Sequence, residues 1–229
     1  MGLLYGGLIV GAWVIVHLYS VFGHSLSAPL WQTFALIALQ CWLYTGMFIV
    51  AHDTMHGSLV PNSPKANSVI GTTIMFVYAG FNWRAMRTAH HAHHDYSGTA
   101  EDPDFNADDP HHFWPWYKKF FLQYFGWKQV LVLVCFTLTY IALGASYWNT
   151  IVMWAVPAIL SSVQLFYFGT YLTHRHTDPF PDHHNARTNN FPRWASLLSC
   201  FHFGYHHEHH LYPHEPWWRL PARKSERRL

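Results

Sequence analysis

The sequence predicts an all-α integral membrane fold: four transmembrane helices in two hairpins, with a cytosolic helical cap carrying a histidine-rich dinuclear metal site. Three observations carry this expectation. Residues 1–52 and 129–174 contain no Asp, Glu, Lys or Arg. All fourteen Lys and Arg lie outside those two stretches. Three clusters among the twenty histidines repeat a helical spacing. No long linker or low-complexity tract divides the chain, so residues 1–229 are read as a single domain.

The elements follow in order. The mean hydropathy of +0.01 would suggest a soluble protein if charge were evenly spread, which it is not. About 20 apolar residues cross the hydrocarbon core of a bilayer, so each charge-free stretch has room for two crossings. These are expected near residues 3–22 and 30–51, then 129–144 and 150–172, joined by short uncharged connections at 23–29 and 145–149. No basic residue precedes Leu3 and no A-x-A-like cleavage site follows, which argues against a cleaved secretory signal. Loops rich in Lys and Arg stay cytoplasmic, which places the histidine clusters and both termini on the cytosolic side.

Residues 66–83 are uncharged. As a crossing they would hold the first and second histidine clusters about 30 Å apart, on opposite faces. Asn67, Ser68, Thr72, Thr73 and Asn82 make a poor span, so the segment is expected to be shallow and to return to its starting side. A helix carrying His90 then begins near Trp83. Residues 111–128 mix Trp114, Trp116 and Trp127 with Lys118, Lys119 and Lys128, the composition of a helix lying in the headgroup layer. Cys41, Cys135 and Cys200 show no CxxC pattern, and a reducing cytosolic face predicts no disulfide. A pI near 8.4 fits a basic cytosolic face without a nucleic-acid partner.

The clusters are His52-Asp-Thr-Met-His56, His90-His-Ala-His93-His94 and His206-His-Glu-His209-His210. Spacings of three and four residues put side chains on one helical face. Neutral imidazole is the commonest protein ligand for a transition metal. His52, His56, His90, His93, His94, His206, His209 and His210 make eight, too many for one ion, because a structural zinc takes four ligands and a catalytic zinc three. The count favours two metals. His174, at the end of the last expected crossing, is a ninth candidate. His91 and His207 sit one position off the ligand face, with second-layer or substrate-contacting roles both open. Asp53 and Glu208 adjoin ligands, and Asp102 and Asp104 follow the second cluster. Such carboxylates fix the tautomer of ligating histidines from behind, and Asp53, Asp104 and Glu208 are the candidates for catalytic roles. His17 and His24 read as structural, and the pairs His111–His112 and His183–His184 lack helical spacing. H-E-x-x-H fails because Leu211 stands where histidine is required, and P-C-x-x-C and CxxCH are absent. Nitrogen ligation suits zinc, copper, iron or nickel; the ligand number and an apolar approach favour iron working with oxygen.

These motifs resemble the membrane fatty-acid desaturase and hydroxylase superfamily, and within it most nearly the bacterial β-carotene ketolases. The resemblance runs from about Ala51 to Pro221. It rests on the histidine clusters, HD-x-x-HG at His52–Gly57, DPDF at Asp102–Phe105, FGTYL-x-HR at Phe168–Arg175, and the closing FHFGYHHEHH and PWWRLP. One departure is Thr173, where the pattern has proline. The resemblance implies two iron ions, O2 as co-substrate and an external electron donor such as ferredoxin, in the bacterial inner membrane. It further implies a carotenoid drawn from the bilayer, a membrane-lipid environment, and two successive hydroxylations at C4 of a β-ionone ring followed by dehydration to a ketone. Ring hydroxylation and acyl desaturation on the same scaffold are the rival chemistries. A metal transporter would need ionisable residues within its spans, and these spans have none. Oligomeric state, the identity of the donor and the choice between β-carotene and zeaxanthin stay open at this level.

Overall fold

The computed structural model describes residues 1–226, which fold as helices and loops around one histidine-rich core. Helix α1 spans Gly2–Gly23 and α2 spans Leu30–His56. They are followed by α3 (Pro64–Ala79), α4 (Trp83–Tyr96), α5 (Phe113–Tyr124) and α6 (Trp127–Ala142). The long α7 covers Tyr147–His174. Short helices α8 (Arg193–Cys200), α9 (His206–Leu211) and α10 (Leu220–Glu226) complete the chain.

Helices α1, α2 and α7 are each long and apolar enough to cross a membrane. Expected crossings at 3–22, 30–51 and 150–172 thus appear at nearly the expected places. The one expected at 129–144 differs. Its helix, α6, has 16 residues, about 24 Å at 1.5 Å per residue, short of a hydrocarbon core of about 30 Å. Only joined to α5, across a bend of 75°, does it reach the length of a span. The reason lies at Phe125-Gly126, where the backbone is extended and ends the helical hydrogen bonding.

Segment 66–83 does return to its starting side, but it is not shallow. Helix α3 runs back along α2 until Tyr78 meets the Tyr44 ring at 5.4 Å. Tyr44 lies twelve residues before His56, about 18 Å down the helix. Gly80, in the left-handed conformation at φ 69°, ends α3. Asn82 then caps α4 by accepting from the Ala85 N–H at 3.1 Å. Trp83 Nε1 donates to Thr54 Oγ1 at 2.8 Å, so α4 begins its climb beside the last turns of α2. The polar Asn67 is satisfied locally at the upper end of α3, donating to Val60 O at 2.7 Å and Ser63 O at 3.0 Å.

Two histidines expected to be structural are so placed. His17 Nδ1 donates to Gln40 Oε1 at 3.3 Å and its Nε2 accepts from the Tyr140 hydroxyl at 3.0 Å, tying α1 to α2 and α6. His24 pairs with Thr33 Oγ1 at 2.9 Å. Helix α7 is not uniformly α-helical. It carries π-helical stretches at Ile151–Ala155 and Phe166–Tyr171, local widenings that recur at functional sites.

Candidate metal centre

Four helices deliver the site. Helix α2 ends at His56 because Gly57, at φ 74°, closes it in a left-handed cap, leaving His52 and His56 on its last exposed turn toward α4. Helix α4 carries His90, His93 and His94, α7 ends on His174, and α9 buries all of His206 to His210. The chain enters α9 through left-handed residues Phe201 and His202, at φ 46° and 64°. The preceding loop meets it at the isolated bridge Thr188–Tyr205.

The nine candidate histidines converge. One ring nitrogen each from His52, His56, His90 and His209 lies within 4.8 Å of the others, and so does one each from His93, His174, His206 and His210. His94 stands between the two groups. Its Nε2 is 2.9 Å from His209 Nε2 and 3.2 Å from His90 Nε2, and its ring stacks on His210 at 4.2 Å.

The donors fit metal ions. His90 Nε2 lies 2.8 Å from His52 Nε2 and 2.7 Å from His56 Nε2. One nitrogen bearing at most one proton cannot serve three imidazole neighbours. A shared cation does, since bonds of about 2.0–2.1 Å bring its ligand nitrogens to about 3 Å from one another. His174 supports the same conclusion from the other group. Its Nδ1 donates to Asn185 O at 2.8 Å, leaving Nε2 buried without a hydrogen-bond partner. His93 Nδ1 is fixed by the Asp102 carboxylate at 2.9 and 3.0 Å, which turns its Nε2 toward the group.

Electrostatics keep most of these rings neutral, the ligating form. Burial, then neighbouring imidazoles, push His90, His206, His209 and His210 well below the ordinary histidine range, and His94 to about 2. His93 moves the other way. Burial lowers it, but the charge of Asp102 more than offsets this and raises it overall. Burial lifts Asp104 to about 6, against the opposing pull of His93.

The three carboxylates expected near the site occupy different surroundings. Asp53 accepts from the backbone N–H of Trp217 at 3.2 Å, anchoring the C-terminal segment beneath α2. Glu208 receives the Thr188 hydroxyl. Asp104 receives the Tyr124 hydroxyl and lines a cavity of about 500 Å3 that reaches His52, His90, His93 and His206. Elsewhere Phe48, Met86, Phe120 and Phe203 make that cavity largely apolar. Helix α5, expected as an interfacial element, also supplies part of its wall.

Asp182, His184 and His207 form a further arrangement that spacing alone did not single out. Asp182 accepts from His184 Nδ1 at 3.0 Å and from His207 Nε2 at 2.7 Å. One carboxylate thereby ties the loop after α7 to α9. His91, off the ligand face as expected, donates to Met55 O at 3.2 Å.

Comparison with known proteins agrees with this arrangement. Residues 25–136 and 123–228 match the family "Fatty acid desaturase". The chain belongs to the fatty acid desaturase family. All nine convergent histidines of this family member lie within the matched residues. Curated relatives include a "Beta-carotene ketolase" of Paracoccus sp. (strain N81106 / MBIC 01143), 44% identical over 98% of this chain and 92% of its own length. A second, from Paracoccus sp. (strain PC1), is 46% identical over 95% and 89% respectively. A "Zeaxanthin 4-ketolase" of Chlamydomonas reinhardtii is 31% identical over 93% of this chain and 51% of its own.

Proposed function

We propose that this membrane desaturase-family protein is a carotenoid 4-ketolase, with four membrane crossings, a cytosolic metal centre and two iron ions held by the nine histidines. The observation that carries the reading is the pair of four-nitrogen groups, bridged by His94, at the head of a long apolar cavity. The similarity to ketolases over nearly the whole chain supports the substrate class.

Bound iron would supply the oxidising power to attack an unactivated C–H bond with O2. Each hydroxylation balances as ring CH2 plus O2, two electrons and two protons, giving CHOH and water. A second round at the same carbon gives the geminal diol, which loses water to the ketone. An electron-transfer protein of the ferredoxin type delivers the electrons at the cytosolic face of the bacterial inner membrane.

The chain's own residues do the rest. His52, His56, His90 and His209 hold one ion, and His93, His174, His206 and His210 the other. Asp102 and the Asn185 carbonyl fix the rings of His93 and His174 from behind. Phe48, Phe203 and Met86 exclude water where the ring must enter, which protects a reactive site from side reactions. Holding one ring carbon against the metals supplies the regioselectivity. Asp104 faces the same space with the Tyr124 hydroxyl on it, and we assign it the task of accepting the hydrogen bond of the first alcohol product. That interaction keeps the same carbon in place for its second oxidation.

Expression in cells that accumulate β-carotene, followed by pigment analysis, tests the reading. Echinenone or canthaxanthin is the expected product. A hydroxylated carotenoid without a ketone would assign the reaction to ring hydroxylation, and unchanged pigment would exclude carotenoid oxidation.

A further inference from the structure

The cavity has a second end, far from the metals, with its own polar groups. Thr150, on the first turn of α7, lines it and is buried, and Thr137 of α6 lines it too. At the metal end the same helix contributes Thr170. Twenty residues separate Thr150 from Thr170, so the cavity follows α7 for about 30 Å. Between the ends the wall is mostly hydrocarbon, with Ala155, Ala158, Leu165 and Leu133. Ser162 interrupts it, and its hydroxyl is engaged by Tyr117 at 2.7 Å.

A carotenoid with a ring at each end is about as long as the hydrocarbon core is thick, roughly 30 Å. With one ring at the histidines, the other arrives at Thr150. The hydroxyls there are not interchangeable hydrogen-bonding groups. Thr150 Oγ1 donates to Tyr147 O at 2.7 Å, and Thr137 Oγ1 donates to Leu133 O at 2.9 Å. Each proton is committed to its own helix, which leaves oxygen lone pairs facing an apolar space. Such a site accepts a hydrogen bond and cannot give one. It suits a ring hydroxyl and offers nothing to a ring carbonyl. The π-helical stretch Ile151–Ala155 begins directly after Thr150 and turns Ile151, Trp154 and Ala155 together toward the cavity.

We propose that this outer end, centred on Thr150 and Thr137, receives the second ring of the substrate and selects one bearing a hydroxyl. The inference rests on the carotenoid reading above and adds which end of the molecule is recognised, and by what. β-Cryptoxanthin, with one plain and one 3-hydroxylated ring, is the probe, because its two rings compete within one molecule. The wild-type enzyme in membranes should place the ketone mainly on the plain ring, with the hydroxylated ring held at Thr150. In Thr150→Val, one neutral hydrogen bond is lost and the plain-to-hydroxylated product ratio should fall about two- to tenfold. A ratio near unity in the wild type, or an unchanged ratio in the variant, overturns the selection. Ala155→Phe fills the outer end. It should lower turnover of β-carotene relative to a single-ring apocarotenal about tenfold or more, as overpacking of a filled site does. Equal effects on both overturn the placement of the second ring. A wild-type enzyme that ketolates neither β-carotene nor the apocarotenal would overturn the carotenoid reading itself, a distinct failure.

Discussion

Replacing Asp102 by Asn should unload the metal centre without disturbing the fold around it. The carboxylate is buried and accepts four hydrogen bonds. Oδ1 takes His93 Nδ1 at 2.9 Å and the Asp104 N–H at 2.8 Å, while Oδ2 takes His93 Nδ1 at 3.0 Å and the Gly98 N–H at 2.9 Å. An asparagine of the same shape keeps one oxygen. Its NH2 must then face either the Gly98 or the Asp104 N–H, donor against donor. The charge-assisted bond to His93 contributes about 1.5–3 kcal/mol, and a buried donor left unmatched costs about 1–3 kcal/mol more. The positioning loss should appear as about a 10- to 100-fold drop in metal affinity or activity, the usual effect of removing a partner behind a ligating histidine. The assay pairs iron content of detergent-purified protein with ketone formation, and Asp102→Glu tests whether charge restored at a new distance rescues either. Wild-type iron content and rate in Asp102→Asn would refute the role given to His93 and, with it, the second four-nitrogen group.

Three further outcomes are expected. His174→Ala should reduce bound iron from two ions toward one while membrane insertion persists, measured by elemental analysis of the purified protein; unchanged iron would remove His174 from the ligand set. Gly71→Val should destabilise the protein by several kcal/mol, read as a lowered Tm in detergent. Even a Cβ there would stand 2.1 Å from Trp83 Nε1 and 2.3 Å from Thr54 Oγ1, the hydrogen-bonded pair joining α4 to α2. The third concerns pH. Because His90, His94, His206, His209 and His210 have folded pKa values below the ordinary 6.5, the unfolded chain takes up protons first as pH falls. Stability is therefore full above about pH 6.5 and declines below it, by about 1.4 kcal/mol per pH unit for each such histidine. Thermal unfolding of metal-free protein between pH 8 and 5 checks this, and a flat Tm would contradict it.

Much of the centre was legible because its signal is local. Spacings of three and four residues mark a helical face whatever the tertiary fold, and eight histidines declared themselves that way. His174 was legible only through its place at the end of an apolar helix. Asp102 and Asp104 were equal candidates in sequence. Which of them turns to His93 depends on the turn through Gly98, a backbone path no spacing encodes. Asp182 and His184 gave no helical signal at all, since a loop brings them to His207. Among the helices, uninterrupted apolar length made α1, α2 and α7 plain. Helix α3 was harder, because its Asn, Ser and Thr looked too polar for depth. Packing against α2 buries part of that polarity, and only coordinates show it.

The π-helical stretches of α7 give the helix an adjustable register. Each wide turn holds one residue more than an α-helical turn, so losing a single residue at Phe166–Tyr171 swings everything beyond it by about 100°. His174 would then leave its companions. A change of the same kind at Ile151–Ala155 would spare His174 and slide the outer threonines by about 1.5 Å. Insertions and deletions at these two places are thus separable levers, one on whether the centre assembles and the other on which carbon of the bound ring is presented to it.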